Sequence, residues 1–385
     1  MPKNYLLIPG PTPVPQDVLL EMAREMVNHR GSEFANVLKT STELLKKVFK
    51  TQNDVLILTA SGTGGMEAAV VNFFSQGDPV LVGVCGVFGE RFAKICKAYG
   101  LNVKTIDCEP GKGVEPEILE KALKENPDVK GVFLTHNETS TGVTNDLKTL
   151  APIVKQNPER LLVVDAVSSL GAIDLPTDDL KVDVVVTASQ KALETPPGLA
   201  MVSVSELAWK YNEKANLPRF YFDLKQAKKF LEEGATPFTP AVSVVFALRK
   251  ALENILNRGL EQNFKRHQVL GRAVREAVKA LGVTKLLADE RWASDTVTPI
   301  IPPENINPDE LRKYIRTKFG VVLAGGQGVL KGKIFRVGHV GYVEPTDILV
   351  AISAIEIALE NMGYKGLKGK GTQVAEEIFA EYYKN

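Results

Sequence analysis

Lys191 stands where a lysine could react rather than merely carry charge. Residues 182–189 read VDVVVTAS, an apolar run with the β-branched content of a buried strand. Gln190 and Lys191 follow directly, ahead of an Ala-Leu-Glu-Thr-Pro-Pro-Gly turn. Glycine and proline cannot continue the strand, so the lysine falls at a sheet's carboxyl edge, where open α/β sheets gather ligand groups. An amine there has the setting of a Schiff-base lysine. Two further strand ends carry complementary groups. Residues 55–74, VLILTASGTGGMEAAVVNFF, read as strand, glycine-rich turn and helix. Backbone amides at a helix start, reinforced by the helix dipole, favour an anion such as phosphate; a tight turn would use the same glycines for their free φ. Residues 161–171, LLVVDAVSSLG, read as strand, aspartate and small-residue turn. An amine, a carboxylate and an anion cradle together form the set that pyridoxal phosphate chemistry requires.

Each candidate has a plainer use. Asp165 ends an apolar strand, where a charge is costly unless paired or at the rim. It could hold a protonated pyridine nitrogen, or N-cap a helix that follows. Asp183 also lies in an apolar strand, but at its start, where a strand-entry role suffices. Phe88, in CGVFGERF, could stack on a flat ring or simply pack. Residues 136–142, HNETSTG, form a polar loop after a strand, either a binding loop or a turn. Arg336, in KIFRVGHVGY, could grip a carboxylate with its planar fork, or pair with an acidic side chain. The glycine-rich turn is not a dinucleotide fingerprint, because Glu67 stands where the third glycine belongs, and no Gly-Lys-Ser/Thr makes it a P-loop.

The elements that must position these groups follow from the patterning. Short apolar strands at 79–84, 102–107, 131–136, 161–165, 182–189 and 199–205 alternate with helical segments. That grammar predicts an α/β fold with a mostly parallel sheet covered on both faces. Residues 1–16 form an extended arm punctuated by PGPTPVP, where proline forbids helix; residues 17–28 read as a helix. Beyond about residue 259 the pattern changes to a long charged helix at 260–281, strands near 296–301 and 334–339, and helices at 308–319, 346–361 and 372–383. The expected division is an arm at 1–16, a large domain at 17–258 and a smaller α+β domain at 259–385.

Composition narrows the function classes. A chain of 385 residues can bury a large core. Its net charge of +1 argues against nucleic acid as the main partner. Three cysteines without a Cys-x-x-Cys pair fit a reducing compartment. The four histidines are far apart in sequence and show no metal-ligand spacing. The apolar run near the N-terminus is too short for a signal peptide, and no stretch reaches the ~20 apolar residues of a membrane helix. A soluble cytoplasmic protein with no metal, nucleic-acid or membrane partner is the expectation.

In this order and spacing, PGPTPVP, HRGSEF, SGTGGMEA, FGERF, THNETSTGV, VDAVSSLGA, SQKALETPPG, TPFTPAV and IFRVGHVG resemble, nearly end to end, the class V pyridoxal phosphate aminotransferases of the alanine–glyoxylate and serine–pyruvate branch. The resemblance implies fold-type I, with a seven-stranded sheet, a smaller C-terminal domain and a homodimer that shares its active sites. It implies that Lys191 carries the cofactor and that Asp165 pairs with its ring nitrogen, with Val167 and Phe88 on the two ring faces. Thr139 would lie near the phenolic oxygen. Gln190, Thr63, Gly64 and Gly65 would serve the phosphate, as would Thr236 and Thr239 from the neighbouring subunit. Arg336 would bind the substrate carboxylate. Phe88 replaces a tryptophan or tyrosine of several relatives, Gly65 a histidine of some and Thr236 a tyrosine of some, which shifts phosphate binding toward backbone donors.

The reading is transamination between alanine or serine and glyoxylate or pyruvate. A cysteine desulfurase-like lyase of the same fold needs a reactive loop cysteine, and residues 320–341 contain none. A non-catalytic subunit of a hydrogenase-type redox assembly would need neither Lys191 nor Asp165. A nicotinamide dehydrogenase lacks its glycine at Glu67.

Overall fold

The computed structural model describes residues 4–384; residues 1–3 of the expected arm and Asn385 of the expected small domain lie outside it. In chain order the strands are β1 (Tyr5–Leu7), β2 (Asp54–Thr59), β3 (Pro79–Val84), β4 (Asn102–Asp107), β5 (Gly131–Thr135), β6 (Asn137–Glu138), β7 (Val143–Thr144), β8 (Leu161–Asp165), β9 (Val184–Ala188), β10 (Leu199–Val204), β11 (Lys285–Leu286), β12 (Val297–Ile301), β13 (Val321–Gly325) and β14 (Phe335–Gly338). Seven of them form one sheet in the order β2-β10-β9-β8-β5-β3-β4. β10 runs antiparallel to β2 and β9, while the remaining pairs are parallel. β2 is therefore codirectional with β9, β8, β5 and β3. The carboxyl ends of these strands open on one edge of the sheet, and Lys191, Asp165 and the loops after β2, β3 and β5 gather there.

The strands are apolar on both faces because both faces are covered. In β8, Leu162 and Val164 join one core cluster and Leu161 and Val163 the other. Each such side chain removed from water contributes roughly 1.5–3 kcal/mol. Helices Ser32–Phe49 and Val242–Arg258 pack together over the first face. Helix Gly62–Phe73 lies on the second, close enough that a Cβ on Gly65 would sit 2.8 Å from Val186 Cγ1.

A five-stranded sheet, β1-β13-β14-β12-β11, carries its own core against helices Leu260–Leu281, Pro345–Asn361 and Lys370–Lys384. The N-terminal segment is extended, as its prolines require, but it is not free. β1 pairs parallel with β13, matching Tyr5 to Val321 and Leu7 to Leu323. The helix expected over 17–28 is Gln16–Glu21 and ends there. Its buried residue is Val18, which sits in a small cluster with Ala247 and Ala251. Leu19, Leu20 and Met26 are exposed, while Met22 and Val27 pack partly against core clusters from outside the helix. Among the described residues no helix is long and apolar enough to cross a membrane.

Asp183, at the entry to β9, is held structurally. It accepts the Lys155 ammonium, the Leu162 amide at 2.7 Å and the Ser205 hydroxyl at 3.0 Å. Both charged side chains are nearly sealed from water, at 9% and 6% exposure. Removing one partner of such a pair leaves an uncompensated buried charge, at a cost of ~3–5 kcal/mol. Lys155→Met should lower the urea midpoint accordingly. An unchanged midpoint would show that Asp183 is adequately solvated without the lysine.

Candidate active site

The turn after β9 is stitched before Lys191 is placed. The Ser189 hydroxyl donates to Pro196 O at 2.7 Å, the Thr195 amide returns to Ser189 O, and the Glu194 amide to Lys191 O. The lysine side chain then runs inward with its Nζ donating to the Pro9 carbonyl. The N-terminal segment roofs it. Gly10 has φ +135°, and a Cβ there would sit 2.5 Å from Lys191 Cε and Nζ, so only glycine can pass over the amine. Thr12 anchors the roof, its amide bonding Gln190 O and its hydroxyl Lys191 O. Burial, with the Arg336 charge acting in the same direction, pulls the Lys191 ammonium down to about 8, although the Asp165 carboxylate opposes the shift.

Asp165 closes β8, between Thr135 on β5 and Val186 on β9. It is 3% exposed, and burial pushes its carboxyl up to about 6. Oδ1 accepts the Val167 amide at 2.9 Å, capping a turn; no helix follows, so the helix N-cap alternative does not hold. Among the described residues that is its one side-chain bond, so most of the carboxylate's bonding capacity is left for the cavity.

The loop from β3 and the loop from β5 are tied together. Glu138, fully buried, accepts the amides of Phe88 and Gly89 at 3.0 Å each through Oε2, and the Ser140 amide and hydroxyl through Oε1. It thereby supplies acceptors to the first turn of helix Val87–Ala98 and fixes where Phe88 points. Burial raises the Glu138 carboxyl, against the bonds that favour its charge. Three residues on, Arg91 stacks over the Phe88 ring at 4.8 Å and donates to Thr63 Oγ1 at 3.2 Å. Ring, cation and the first turn of helix Gly62–Phe73 are thus one unit. Ser61 caps that helix, accepting the Gly64 amide at 3.4 Å.

These groups line a cavity of about 310 Å³. Of the residues singled out in the sequence, Lys191, Asp165, Thr63, Phe88, Val167 and Gln190 lie on its wall. The Gln190 Oε1 is buried there with no partner among the described residues. Gly64 and Gly65 sit behind the wall, where Gly64 faces Phe222 and Gly65 the sheet. Thr139 is buried and donates to Ser168 Oγ at 2.8 Å. Arg336, on β14, does not line this cavity; its Nε donates to Gly325 O and its Nη1 to Thr139 O, each at 2.9 Å, and Nη2 has no partner among the described residues. Thr236 and Thr239 do not line this chain's cavity, and Thr239 is exposed. Sequence reasoning passed over Arg91, Glu138 and Gly10. Arg91 was reachable, since it lies three residues after Phe88 and so on the same helix face.

The sequence profile described as Aminotransferase class-V matches residues 4–343. The chain is 44% identical to the "Soluble hydrogenase, small subunit" of a Synechococcus species, over 98% of this chain and 99% of that one. It is 36% identical to the serine–glyoxylate aminotransferase of Methylorubrum extorquens, over 98% and 96%. Among solved structures, pyridoxamine–pyruvate aminotransferase from Mesorhizobium loti superposes with a TM-score of 0.94 at 29% identity, covering 99% of this chain and 98% of that one.

Glu138→Ala tests the tie between the two loops. It would strand three amides, of Phe88, Gly89 and Ser140, and the Ser140 hydroxyl, at roughly 1–3 kcal/mol each. Hydrogen exchange over residues 86–92 should accelerate by ~10-fold or more, by the same cost. Unchanged exchange there would mean that Phe88 is positioned by something other than this carboxylate.

Proposed function

This chain belongs to the class V aminotransferases, and we propose that within the family it binds pyridoxal 5′-phosphate at Lys191 and moves the amino group of alanine or serine to glyoxylate or pyruvate. The observation that carries the reading is the pairing of a buried lysine of lowered pKa with a buried aspartate of raised pKa on one cavity wall. Such opposed shifts mark groups that await a ligand.

The residues present fit the cofactor. A cationic ring nitrogen would give Asp165 the partner it lacks, and the unpartnered Gln190 Oε1 lies in the same wall. Phe88 and Val167 offer two apolar surfaces for a flat ring. Thr63, the first-turn amides of helix Gly62–Phe73 and the Arg91 charge form an anion site. Gly64 and Gly65 serve it as the backbone of that turn. Thr139 holds the neighbouring loop, where it would lie near the phenolic oxygen. We assign Thr236 and Thr239 to the partner's site in a homodimer; their distance from this chain's own cavity supports that. The free cysteines fit a cytoplasmic enzyme.

When bound, pyridoxal 5′-phosphate supplies an aldehyde that condenses with amines and a ring that accepts electron density from the substrate's α-carbon. The chain's residues do the rest. Lys191 Nζ, neutral in a large fraction near pH 8, takes the α-proton and returns it. Asp165 keeps a positive charge on the ring. Arg336 offers the uncommitted side of its guanidinium to the carboxylate that every α-amino and 2-oxo acid shares, and two parallel bonds would set the plane of that group. Pro9, Gly10 and Phe88 keep water from the amine. The glyoxylate preference draws support from the serine–glyoxylate relative. A purely structural role in a redox assembly, suggested by the name of the Synechococcus relative, leaves the buried Lys191 and Asp165 with no use.

Two measurements test the reading. In cofactor-free protein, acetylation of Lys191 should rise with pH about a midpoint near 8, because the amine reacts only when neutral, above its pKa. A midpoint near 10.5, that of an ordinary lysine, would remove the basis for a reactive amine. Separately, the enzyme should aminate glyoxylate or pyruvate from alanine or serine. Arg336→Lys should keep the cofactor while raising the KM for both donor and acceptor by ~10- to 100-fold, the worth of a charged hydrogen-bonded pair. If the lysine variant binds both substrates as the parent does, the carboxylate is held elsewhere.

A further inference from the structure

Two of the three cysteines, distant in sequence, meet in the fold. Cys85 follows β3 and Cys108 follows β4, and the parallel register of those strands, Val84 against Asp107, brings the two side by side. The Cys108 amide donates to Val84 O at 2.9 Å, which continues the ladder past the strand ends. The sulfurs are 3.4 Å apart, with the Cys85 thiol donating to Cys108. Neighbouring parallel strands lie ~4.8 Å apart, inside the Cα separation that a disulfide spans. The two thiols differ in access: Cys85 is buried, and Cys108 is partly exposed. The third cysteine, Cys96, is buried on helix Val87–Ala98 and has neither feature.

We propose that Cys85 and Cys108 form a reversible thiol–disulfide exchange site for small organic disulfides, placed so that its closure disturbs the Phe88 loop. Cys108 is the attacking sulfur. It is reachable, and the hydrogen bond from Cys85 lowers its pKa, whereas that bond and burial raise the Cys85 thiol. The Cys108 thiolate attacks one sulfur of RS–SR, the S–S bond breaks, and RS⁻ leaves and takes up a solvent proton. Cys85 then gives its proton to solvent and attacks Cys108 Sγ. The second RS⁻ departs and is protonated. Two protein thiols are oxidised to one disulfide, and RS–SR is reduced to two RSH. Asp107 and Glu115 act on Cys108 with negative charge, so neutral disulfides should react faster than anionic ones.

Closure would be felt at the cavity because the chain between Cys85 and Phe88 has no slack. The Cys85 carbonyl accepts the Thr141 hydroxyl at 2.9 Å. A Cβ on Gly86 would meet Ser140 Oγ at 2.3 Å and Glu138 Cδ at 2.7 Å. Drawing the sulfurs together by ~1.4 Å to bond length therefore pushes on the residues that hold the Phe88 amide. This second part rests on the cofactor reading above; the thiol chemistry does not.

The test treats the purified enzyme with 2-hydroxyethyl disulfide and counts thiols by Ellman's reagent under denaturing conditions, then maps peptides by mass. Thiols should fall from three to one, with Cys85 linked to Cys108, Cys96 free and full reversal by dithiothreitol. Cys108→Ser should stay unlinked. Three persistent thiols, or a stable mixed disulfide on Cys108, would overturn the site. In the second arm, the oxidised parent should lose transaminase rate by ~10- to 100-fold, the scale of an ångström's misplacement, and regain it on reduction, while Cys108→Ser is indifferent to the oxidant. A linked pair with unchanged rate would overturn the coupling to Phe88. A failure of the cofactor reading would show instead as no activity in either state, with the thiol count still falling.

Discussion

Burying the Lys191 amine and the Asp165 carboxylate in one cavity is the constraint on which the rest of this structure depends. Neither group is repaid within the chain. Among the described residues the lysine nitrogen has a single carbonyl partner and the aspartate a single amide. Their pKa values move toward one another from opposite ends of the scale, as desolvation dictates for an acid and a base. The fold must supply the stability that offsets this. It does so with two apolar core clusters on the faces of one sheet. It must also supply the direction, and parallel strands deliver both groups to a single edge from adjacent β8 and β9.

The second sheet and the N-terminal segment complete what the first cannot. β1 is pinned to β13, and the chain that leaves it crosses directly over Lys191 at Pro9 and Gly10. A Cβ on Gly338 of β14 would strike the Ile8–Pro9 backbone, so that strand and the roof are seated against each other. Arg336, on the same strand, anchors on Thr139 of the β5 loop. That loop also carries Glu138, which sets Phe88. A displacement of any one loop is thus shared by the others, which is how a cavity built from distant segments keeps one shape.

Much of this was legible in the sequence, for identifiable reasons. Lys191, Asp165 and the Ser61–Gly65 turn end apolar runs, and a polar residue at such a place is costly without a purpose. The alternation of strand and helix gave the α/β layering, and helix 260–281 was legible from its length and periodicity. Pairings between remote segments were not. Nothing local in Tyr5–Leu7 names β13 as its partner, and no spacing rule connects Cys85 with Cys108. Glu138 looked like loop polarity because its burial depends on the amides of a different loop. The helix expected over 17–28 ends at Glu21, and Met22 and Val27 beyond it reach the core from non-helical backbone, which a local helical pattern does not foretell.

The central claim is that Lys191 is the amine that holds the cofactor. Reduction of the pyridoxal phosphate-loaded protein with borohydride, followed by proteolysis and mass mapping, tests it directly. A pyridoxyl group fixed to Lys191, and absent from Lys191→Ala, is the result this structure predicts. A pyridoxyl group found on another lysine, or none fixed to the folded protein, would contradict it.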